Sequence, residues 1–245
     1  MRDQNIAITG ASSGLGRALA LATAGPGVML HLAGRDAPRL GETAQACRAK
    51  GAQVTEAIMD VTDAPAMEAW LRSCAGLELV IANAGVSAGP GKGNLERVTQ
   101  VRRVFSTNLD GVLNTVLPAM ELRVPRIAII SSIAGLVALP TSPAYSASKA
   151  ALDFWVRAAT PGAAREGVAL TLVRPGFIRT PLTTQNPYTM PGLMDADKAA
   201  QIILAGIARG QRIITFPWWL ASCARLANLL PASVFGRVPG KPEAG

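Results

Sequence analysis

The sequence predicts an α/β fold in which a parallel sheet is covered by helices on both faces. Short runs of β-branched and other apolar residues alternate along the chain with longer segments of helical pattern. The short runs are apolar at nearly every position, which is typical of parallel strands that are buried on both faces. The segments between them are long enough to be the crossover connections that parallel strands require. At 245 residues the chain fits one such domain.

Six runs are the candidate strands, and each is followed by a turn or a helical segment. The strands are predicted at residues 5–9, 28–33, 54–59, 79–82, 126–131 and 169–173. Helices are predicted at residues 15–24, 37–50, 64–75, 95–116 and 144–159. The Gly- and Pro-rich segments 87–94 and 183–192 are predicted to be loops at the carboxyl edge of the sheet, where such folds bind ligands.

The composition narrows the classes of protein. Hydrophobic residues make up 49% of the chain and charged residues 16%, which supports a large buried core. Cys47, Cys74 and Cys223 are widely spaced and form no CxxC pattern, so we expect neither a disulfide framework nor a zinc site. The first apolar run leads directly into a glycine turn rather than a long signal-peptide core. We therefore expect a cytoplasmic protein without a metal.

The positive charge does not indicate a nucleic-acid partner. The net charge is +8, and 19 of the 24 basic residues are arginine. These residues are scattered and lack the interleaved aromatic residues of a strand-binding surface. We expect a small-molecule partner and no nucleic acid.

The first strand leads into a glycine-rich turn, after which a helical pattern begins at once. The turn reads T-G-A-S-S-G-L-G from Thr9, and its candidate ligand-binding residues are Gly10, Ser12, Ser13, Gly14, Leu15 and Gly16. Glycines let the backbone approach a pyrophosphate closely, and the helix N-terminus that follows supplies free N–H groups. The turn therefore predicts a dinucleotide site; a strand-to-helix turn without a ligand is the alternative.

Tyr145 and Lys149 stand four residues apart in a segment of helical pattern. This spacing places both side chains on one face of a helix, one turn apart. A neighbouring ammonium group favours the phenolate and would lower the pKa of Tyr145 from about 10 towards neutrality. The pair is a candidate general acid and base.

Together these motifs resemble the classical short-chain dehydrogenase/reductase family over roughly residues 5–210. The resemblance implies a Rossmann-type fold, a seventh parallel strand at residues 212–216, and hydride transfer between a nicotinamide and an alcohol or carbonyl group. Residues 1–212 would be the nucleotide-binding catalytic domain, and residues 213–245 the final strand and apolar extension of the same domain. Homodimers or homotetramers paired through the helices carrying Asn108 and Tyr145 are also implied.

The resemblance assigns further catalytic residues. Ser132 lies thirteen residues before Tyr145 and matches the family serine that polarises the substrate carbonyl. Ser131 is the alternative. Asn108 matches the family asparagine that leads a water-mediated proton relay to Lys149.

The same resemblance assigns the remaining cofactor contacts. Asp60 and Val61 match an adenine-binding pair, and the turn after the fourth strand serves both structure and the cofactor ribose. A Pro-Gly turn after the sixth strand would bind the nicotinamide and direct transfer of the pro-S hydride. The residues of these two turns are Asn83, Ala84, Gly85, Pro175, Gly176, Ile178 and Thr180.

The end of the second strand favours NADP(H), although NAD(H) stays open. The acidic residue that selects NAD would fall at Gly34, and Arg35 stands where it can pair with a 2′-phosphate. Asp36 would weaken that affinity, and Ser13 replaces a second basic residue found in many NADP-binding members.

The carboxyl-terminal part raises two further expectations. Pro161 and Gly162 are expected to end or kink the catalytic helix. Residues 216–230 carry Trp218 and Trp219 in a mostly apolar helical pattern that is too short to span a membrane. This segment could pack on the domain, form a subunit contact or lie loosely on a membrane surface.

Two functions from different classes follow. The first is an NADP(H)-dependent carbonyl reductase or alcohol dehydrogenase for a small, lipophilic substrate. The second is a catalytically silent NADP(H)-binding redox sensor, although such proteins usually lack the tyrosine or the lysine that this chain retains.

Overall fold

The computed structural model describes residues 4–87, 95–184 and 189–229. The strands are β1 (Gln4–Thr9), β2 (Val28–Gly34), β3 (Gln53–Ile58), β4 (Leu79–Ala82), β5 (Arg126–Ile130), β6 (Ala169–Pro175), β7 (Ile178–Arg179), β8 (Met194–Asp195) and β9 (Ile213–Phe216). The helices are α1 (Gly14–Thr23), α2 (Ala37–Ala49), α3 (Ala64–Ser73), α4 (Val98–Phe105), α5 (Gly111–Glu121), α6 (Pro143–Arg165), α7 (Ala196–Ala208) and α8 (Trp218–Ala227).

Seven strands form one parallel sheet in the order β3-β2-β1-β4-β5-β6-β9, which confirms the predicted doubly wound Rossmann-type fold. The strand order reverses direction between β1 and β4, which are neighbours in the sheet. In such sheets a ligand-binding crevice lies outside the carboxyl ends of the strands at this reversal. The ends of β1 and β4 therefore position the candidate site.

Both faces of the sheet are buried, as the apolar strands predict. In β1, Ile6 and Ile8 pack into one apolar layer and Ala7 packs into the other. The first layer includes residues of α1, α2 and α7, and the second includes residues of α3, α5 and α6. Alternate side chains of a strand point to opposite faces, so one apolar run contributes to both layers.

Local sequence signals explain where α2 and α3 begin. Asp36 caps α2 by accepting a hydrogen bond from the backbone N–H of Arg39, and Asp63 caps α3 in the same way through Ala66. Each of these helices has a proline in its first turn, where a missing N–H costs no helical hydrogen bond.

The predicted helix at residues 95–116 is correct in kind but wrong in its bounds and its regularity. It begins at Val98 and is interrupted by a π-helical turn, Ser106–Asp110, before continuing as α5. The backbone N–H of Gly111 bonds to the carbonyl of Ser106, which is the wider spacing of a π-turn. Nothing in apolar periodicity distinguishes such a turn from an α-helix.

Of the two outcomes predicted at Pro161, an end or a kink of the helix, the end is wrong, because α6 continues to Arg165. Pro161 lies little more than one turn from the end of the helix, so its missing N–H removes one hydrogen bond near the end of an otherwise long helix.

The two predicted loops are only partly described by the structure. Segment 88–94 of the first predicted loop and residues 185–188 of the second lie outside the described residues. The short strands β7 and β8 pair in parallel beside the second loop and were not predicted. Among the described residues, none of the helices has both the length and the apolar character that a membrane span requires.

Candidate active site and dinucleotide cleft

A cleft of about 780 Å³ lies along the carboxyl ends of the strands. Small-molecule and cofactor sites commonly measure about 300–1,000 Å³. All of the residues predicted to bind the cofactor line it: Gly10, Ser12, Ser13, Gly14, Leu15, Gly16, Arg35, Asp60, Val61, Asn83, Ala84, Gly85, Tyr145, Lys149, Pro175, Gly176, Ile178 and Thr180. Residues at or after the ends of five strands of the sheet, β1, β2, β3, β4 and β6, therefore meet residues of α6 in one cavity.

The glycine-rich turn at the start of α1 is tightly packed. Gly10 and Gly14 have positive φ angles of 68° and 54°. A Cβ atom on Gly16 would lie 2.1 Å from the carbonyl oxygen of Gly10, so only glycine fits there. Ser13 precedes α1 without a side-chain cap hydrogen bond, which leaves N–H groups of the first helical turn for a ligand. This cradle fits a pyrophosphate.

The turn after β4 has a clear structural role. The side-chain amide of Asn83 donates to the carbonyl oxygens of Thr9 and Gly10, at 3.0 and 3.3 Å. The hydroxyl oxygen of Thr9 accepts hydrogen bonds from the backbone N–H groups of Asn83 and Ala84. These bonds fix the ends of β1 and β4 to each other beside the glycine-rich turn.

The candidate catalytic side chains meet at the other end of the cleft. Lys149 is buried, and its Nζ donates to the carbonyl oxygen of Ile130 at 2.9 Å. The same Nζ lies 5.9 Å from the centroid of the Tyr145 ring, as expected for residues one helical turn apart. Ser132 follows β5 and lines the cleft beside them.

The structure separates the two candidate serines. The hydroxyl of Ser131 donates to the backbone carbonyl of Lys149 at 3.1 Å and is buried. The hydroxyl oxygen of Ser132 accepts from the N–H of Ala134 and is a hydrogen-bond partner of Tyr145. This arrangement favours Ser132 over Ser131 as the group that contacts a substrate.

The electrostatics of Tyr145 differ from the expectation. Burial raises the pKa of Tyr145, and the hydrogen bond with Ser132 only partly offsets this effect. Burial also lowers the pKa of Lys149 to about 8. The ammonium group of Lys149 is directed to a backbone carbonyl rather than to the phenolic oxygen, which explains why it does not lower the pKa of Tyr145 in this arrangement.

Asn108 lies in the π-helical turn, fully buried and behind the cleft rather than in its lining. Its Oδ1 accepts from the N–H of Val86 at 2.7 Å, and its Nδ2 donates to the carbonyl of Val86 at 2.9 Å. Nδ2 also lies 3.3 Å from the hydroxyl of Ser148 on α6. Both ends of the amide are therefore committed to holding the loop after β4 against α6.

Two ion pairs lie at the end of the cleft formed by β2 and β3. Arg35 pairs with Asp60 at 3.1 Å, and Arg39 pairs with Asp36 at 2.7 Å. Burial opposes ionisation of Asp60, but hydrogen bonds from Thr62 and Arg35 hold the pKa of that carboxyl below its usual value. The predicted phosphate-binding arginine and the predicted adenine-binding carboxylate are thus bonded to each other.

Comparison with known proteins decides the family. The family model for short chain dehydrogenases matches residues 4–190, which is most of the chain. The chain belongs to the short-chain dehydrogenase family. An uncharacterised oxidoreductase from Myxococcus xanthus is 39% identical over 238 residues, which cover 93% of each protein. This short-chain dehydrogenase is therefore an oxidoreductase.

More distant relatives have described activities or bound cofactors. An 11-beta-hydroxysteroid dehydrogenase A from Sesamum indicum is 28% identical, covering 97% of this chain and 77% of that protein. A short-chain dehydrogenase from Sphingobium yanoikuyae in complex with NADPH superposes with a TM-score of 0.81 and 23% identity, covering 98% of each chain. One from Burkholderia phymatum in complex with NAD has a TM-score of 0.82 and 24% identity, again covering 98% of each. These structures share the fold.

The cleft of this short-chain dehydrogenase includes residues that the sequence did not single out. They are Arg39, Met59, Val86, Arg103, Thr107, Ile130 and Pro181. Most lie directly before or after a residue that the sequence analysis named, so a wider window around each motif would have included them. Arg39 and Arg103 have no such neighbour, because helices α2 and α4 bring them to the cleft.

A buried ion pair behind this dehydrogenase's active site also escaped prediction. The guanidinium of Arg174 bonds to the carboxylate of Asp153, and both side chains are buried. Asp153 lies one helical turn after Lys149 on α6, and Arg174 directly precedes Pro175 in β6. The pair therefore ties the helix that carries Tyr145 to the strand that leads into the Pro175–Gly176 turn.

Replacing Asp153 with Asn is expected to lower the free energy of unfolding by about 3–5 kcal/mol, because Arg174 would be left buried without a counter-charge. Urea denaturation measures this loss. Asp195→Asn is the matched control, since its pair with Arg179 is exposed and worth less than about 1 kcal/mol. Equal effects of the two substitutions would contradict the structural role of the buried pair.

Proposed function

We propose that this protein is an NADP(H)-dependent oxidoreductase that transfers hydride between the nicotinamide and an alcohol or carbonyl group of a small, lipophilic substrate. The observation that carries the proposal is that the candidate pyrophosphate-binding turn and the candidate catalytic side chains line the same cleft. The glycine-rich turn and Arg35 line one part, and Ser132, Tyr145 and Lys149 line another. When bound, the cofactor would supply or accept the hydride.

The catalytic roles follow from the positions of the side chains. Ser132 would hold and polarise the substrate oxygen, and Tyr145 would donate a proton to that oxygen during reduction or remove one during oxidation. Raising the pKa of Tyr145 by burial keeps the phenol protonated, which suits an acid in the direction of carbonyl reduction. Lys149 would orient the cofactor ribose and help to replace the proton.

Asn108 has a positioning role in this proposal. Its side chain holds the loop after β4 through two hydrogen bonds to Val86. A Cβ atom on Gly85 would lie 3.3 Å from Oδ1 of Asn108 and 3.7 Å from Nζ of Lys149, so both groups border this loop. The amide is therefore occupied, and a water-mediated proton relay to Lys149 would run through water molecules held by backbone carbonyl groups here rather than through the side chain itself.

The preference for NADP(H) over NAD(H) rests on the end of β2. Gly34 offers no carboxylate to a ribose 2′-hydroxyl, and the Cβ of any larger residue there would lie 3.1 Å from the hydroxyl of Ser12. Arg35 lines the cleft directly after it. Asp36, which would otherwise oppose a phosphate, is occupied as the N-cap of α2 and as the partner of Arg39.

A lipophilic substrate is supported by apolar side chains at the two ends of the loop predicted at residues 183–192. Leu182 lines the cleft and is 42% exposed, and Trp219 packs against Gly192 at the far end of the loop. The sesame relative is a hydroxysteroid dehydrogenase by name. A bulky, weakly polar alcohol or ketone therefore suits this entrance.

The function is tested by following NADPH oxidation with a panel of ketones, aldehydes and steroids at neutral pH. We expect consumption of NADPH with at least one apolar carbonyl compound, and weaker activity with NADH. Tight NADPH binding without turnover across the panel would contradict the proposal and favour the silent redox sensor. A clear preference for NADH would contradict the role of Arg35.

Homo-oligomerisation and a cytoplasmic location belong to the same proposal. Phe154 on α6 is 75% exposed, and Leu117 on α5 and Leu122 directly after it are also exposed. These apolar side chains lie on the two helices that the family resemblance assigns to subunit pairing. Contact with a second subunit would remove them from water.

Loose membrane contact through α8 gives a further prediction. Ala221 and Ala224 pack this helix against Ile133, while Trp218 and Leu226 are 76% and 67% exposed. We expect partial co-sedimentation of the protein with vesicles of anionic lipid, since exposed tryptophan beside Arg225 suits a lipid interface. The double substitution Trp218→Ser and Leu226→Ser should reduce it, and Phe154→Ser should not. No difference between these variants would contradict the contact.

A further inference from the structure

We propose that Arg39, in the first turn of α2, is a second binding group for the 2′-phosphate of NADP(H) and thereby helps to set cofactor preference. The inference rests on the proposed function, because it requires a nicotinamide dinucleotide in the cleft. The sequence has one arginine, Arg35, after β2 and an uncharged Ser13 where many NADP-binding members of the family have a second basic residue. The fold brings the second basic residue from α2 instead.

Arg39 is placed where a ligand can reach it. It lines the cleft together with Arg35 and Asp36, and 52% of its side chain is exposed. Arg35 is exposed to a similar extent, at 50%. The two guanidinium groups therefore border the same end of one cavity, next to Gly34, where the adenosine ribose would lie.

Asp36 holds Arg39 in a defined orientation. One carboxylate oxygen accepts from the Nε and Nη2 of Arg39, at 2.8 and 2.7 Å, and the other accepts from the backbone N–H of the same residue at 3.0 Å. A guanidinium carries five N–H donors in a rigid fork. Because Asp36 engages only some of them, Arg39 can bind a phosphate without leaving the carboxylate.

Charge explains why a second arginine is needed. Arg35, Asp36, Arg39 and Asp60 form two ion pairs, so the group has no net formal charge. A phosphate monoester adds roughly −1.5 to −2 charges at neutral pH. With Arg35 alone, that charge would meet one cation and two carboxylates. Arg39 supplies the second cation and neutralises Asp36, so its loss weakens binding of the phosphorylated cofactor selectively.

The test compares four nucleotides by calorimetric titration: NADPH, NADH, 2′,5′-ADP and 5′-AMP. A hydrogen bond to a charged group contributes about 1.5–3 kcal/mol to the free energy of binding. Arg39→Gln is therefore expected to weaken binding of NADPH and 2′,5′-ADP by about tenfold to a hundredfold. Binding of NADH and 5′-AMP should change less than about threefold. The two fragments make the readout independent of turnover.

Arg48→Gln is the matched control. Arg48 lies in the last turn of the same helix, pairs with Glu56 at 2.9 Å and is 48% exposed, but it does not line the cleft. We expect its substitution to leave the affinity for all four nucleotides unchanged. An equal loss of NADPH affinity in the Arg48 and Arg39 variants would overturn the inference.

A second variant separates direct contact from masking of Asp36. Asparagine retains the capping oxygen, so Asp36→Asn removes the charge while α2 keeps its cap. If Arg39 binds the phosphate, NADPH binding stays weak when Asp36→Asn is combined with Arg39→Gln. Full recovery of NADPH binding in that double variant would overturn the direct contact.

The outcome also distinguishes this inference from the proposed function. If the wild-type protein binds NADPH and Arg39→Gln leaves that affinity unchanged, the role of Arg39 is overturned but the proposed function is not. Equal weakening of NADPH and NADH binding does the same, because it shows no selectivity for the phosphate. A wild-type protein that binds none of the four nucleotides overturns the proposed function and this inference together.

Discussion

Replacing Tyr145 with Phe is expected to abolish measurable turnover while NADPH binding stays close to the wild-type value. The phenol is the proton donor in the proposed reduction, and a positioned acid or base contributes about 10²- to 10⁴-fold to the rate. Phenylalanine keeps the ring on α6 and leaves Lys149 bonded to the carbonyl of Ile130. Steady-state rates with the best carbonyl substrate, together with NADPH titration, measure the two effects separately.

The separation between turnover and binding is what distinguishes catalysis from structure at Tyr145. A variant that loses NADPH affinity and turnover together would indicate that the tyrosine mainly shapes the cleft. Turnover within a factor of about three of wild type would show that another group supplies the proton, against the expected loss of 10²-fold or more.

Replacing Gly16 with Ala is expected to remove most of the affinity for both NADPH and NADH. The added Cβ would lie 2.1 Å from the carbonyl oxygen of Gly10 and 2.5 Å from Nδ2 of Asn83. Both atoms are fixed, because Asn83 is bonded to the backbone of Thr9 and Gly10. The turn must open to relieve these contacts, and distortion of this kind commonly costs about 1–3 kcal/mol.

Such a cost corresponds to weaker binding by about tenfold to a hundredfold, which calorimetric titration resolves. Gly25→Ala is the matched control, since a Cβ there would meet nothing within 4 Å. Circular dichroism checks that both variants fold. Normal dinucleotide affinity in a folded Gly16→Ala variant would contradict the assignment of the turn as the pyrophosphate cradle.

Much of the fold and of the cleft lining could be predicted because the signals are local. Buried parallel strands are apolar throughout, so the six runs were found directly, whereas the seventh strand was implied by the family resemblance. The cofactor motifs other than Tyr145 and Lys149 follow strands, and parallel strands place their carboxyl ends at one edge of the sheet. For this reason residues as distant as Gly10, Asn83 and Thr180 meet in one cavity.

The features that escaped prediction depend on contacts between distant positions. The ion pair of Asp153 with Arg174 joins α6 to β6, and neither residue carries a local signal of its partner. The pairing of Arg35 with Asp60 likewise joins two strand ends. Sequence spacing predicted that Lys149 lies near Tyr145, but it could not predict that the ammonium would bond to Ile130 and leave burial to dominate the pKa of Tyr145.

The predicted end of the helix at Pro161 was wrong for a different reason. Proline removes one hydrogen bond and disfavours helix at the preceding residue, but these are local costs. Here the helix is anchored by Leu152, Val156 and Ala163, which are buried in the core. Packing on both sides of the proline therefore holds the helix through it.

Transfer of deuterium from the cofactor to the product tests the central claim most directly. The enzyme is incubated with a carbonyl substrate and with NADPH that carries deuterium at the pro-S position of the nicotinamide C4, and the product is analysed by mass spectrometry. We predict that the alcohol product contains the deuterium, and that pro-R-labelled NADPH yields unlabelled alcohol. If neither the pro-S-labelled nor the pro-R-labelled NADPH passed deuterium to the product, the assignment of this cleft as a site of hydride transfer would be contradicted.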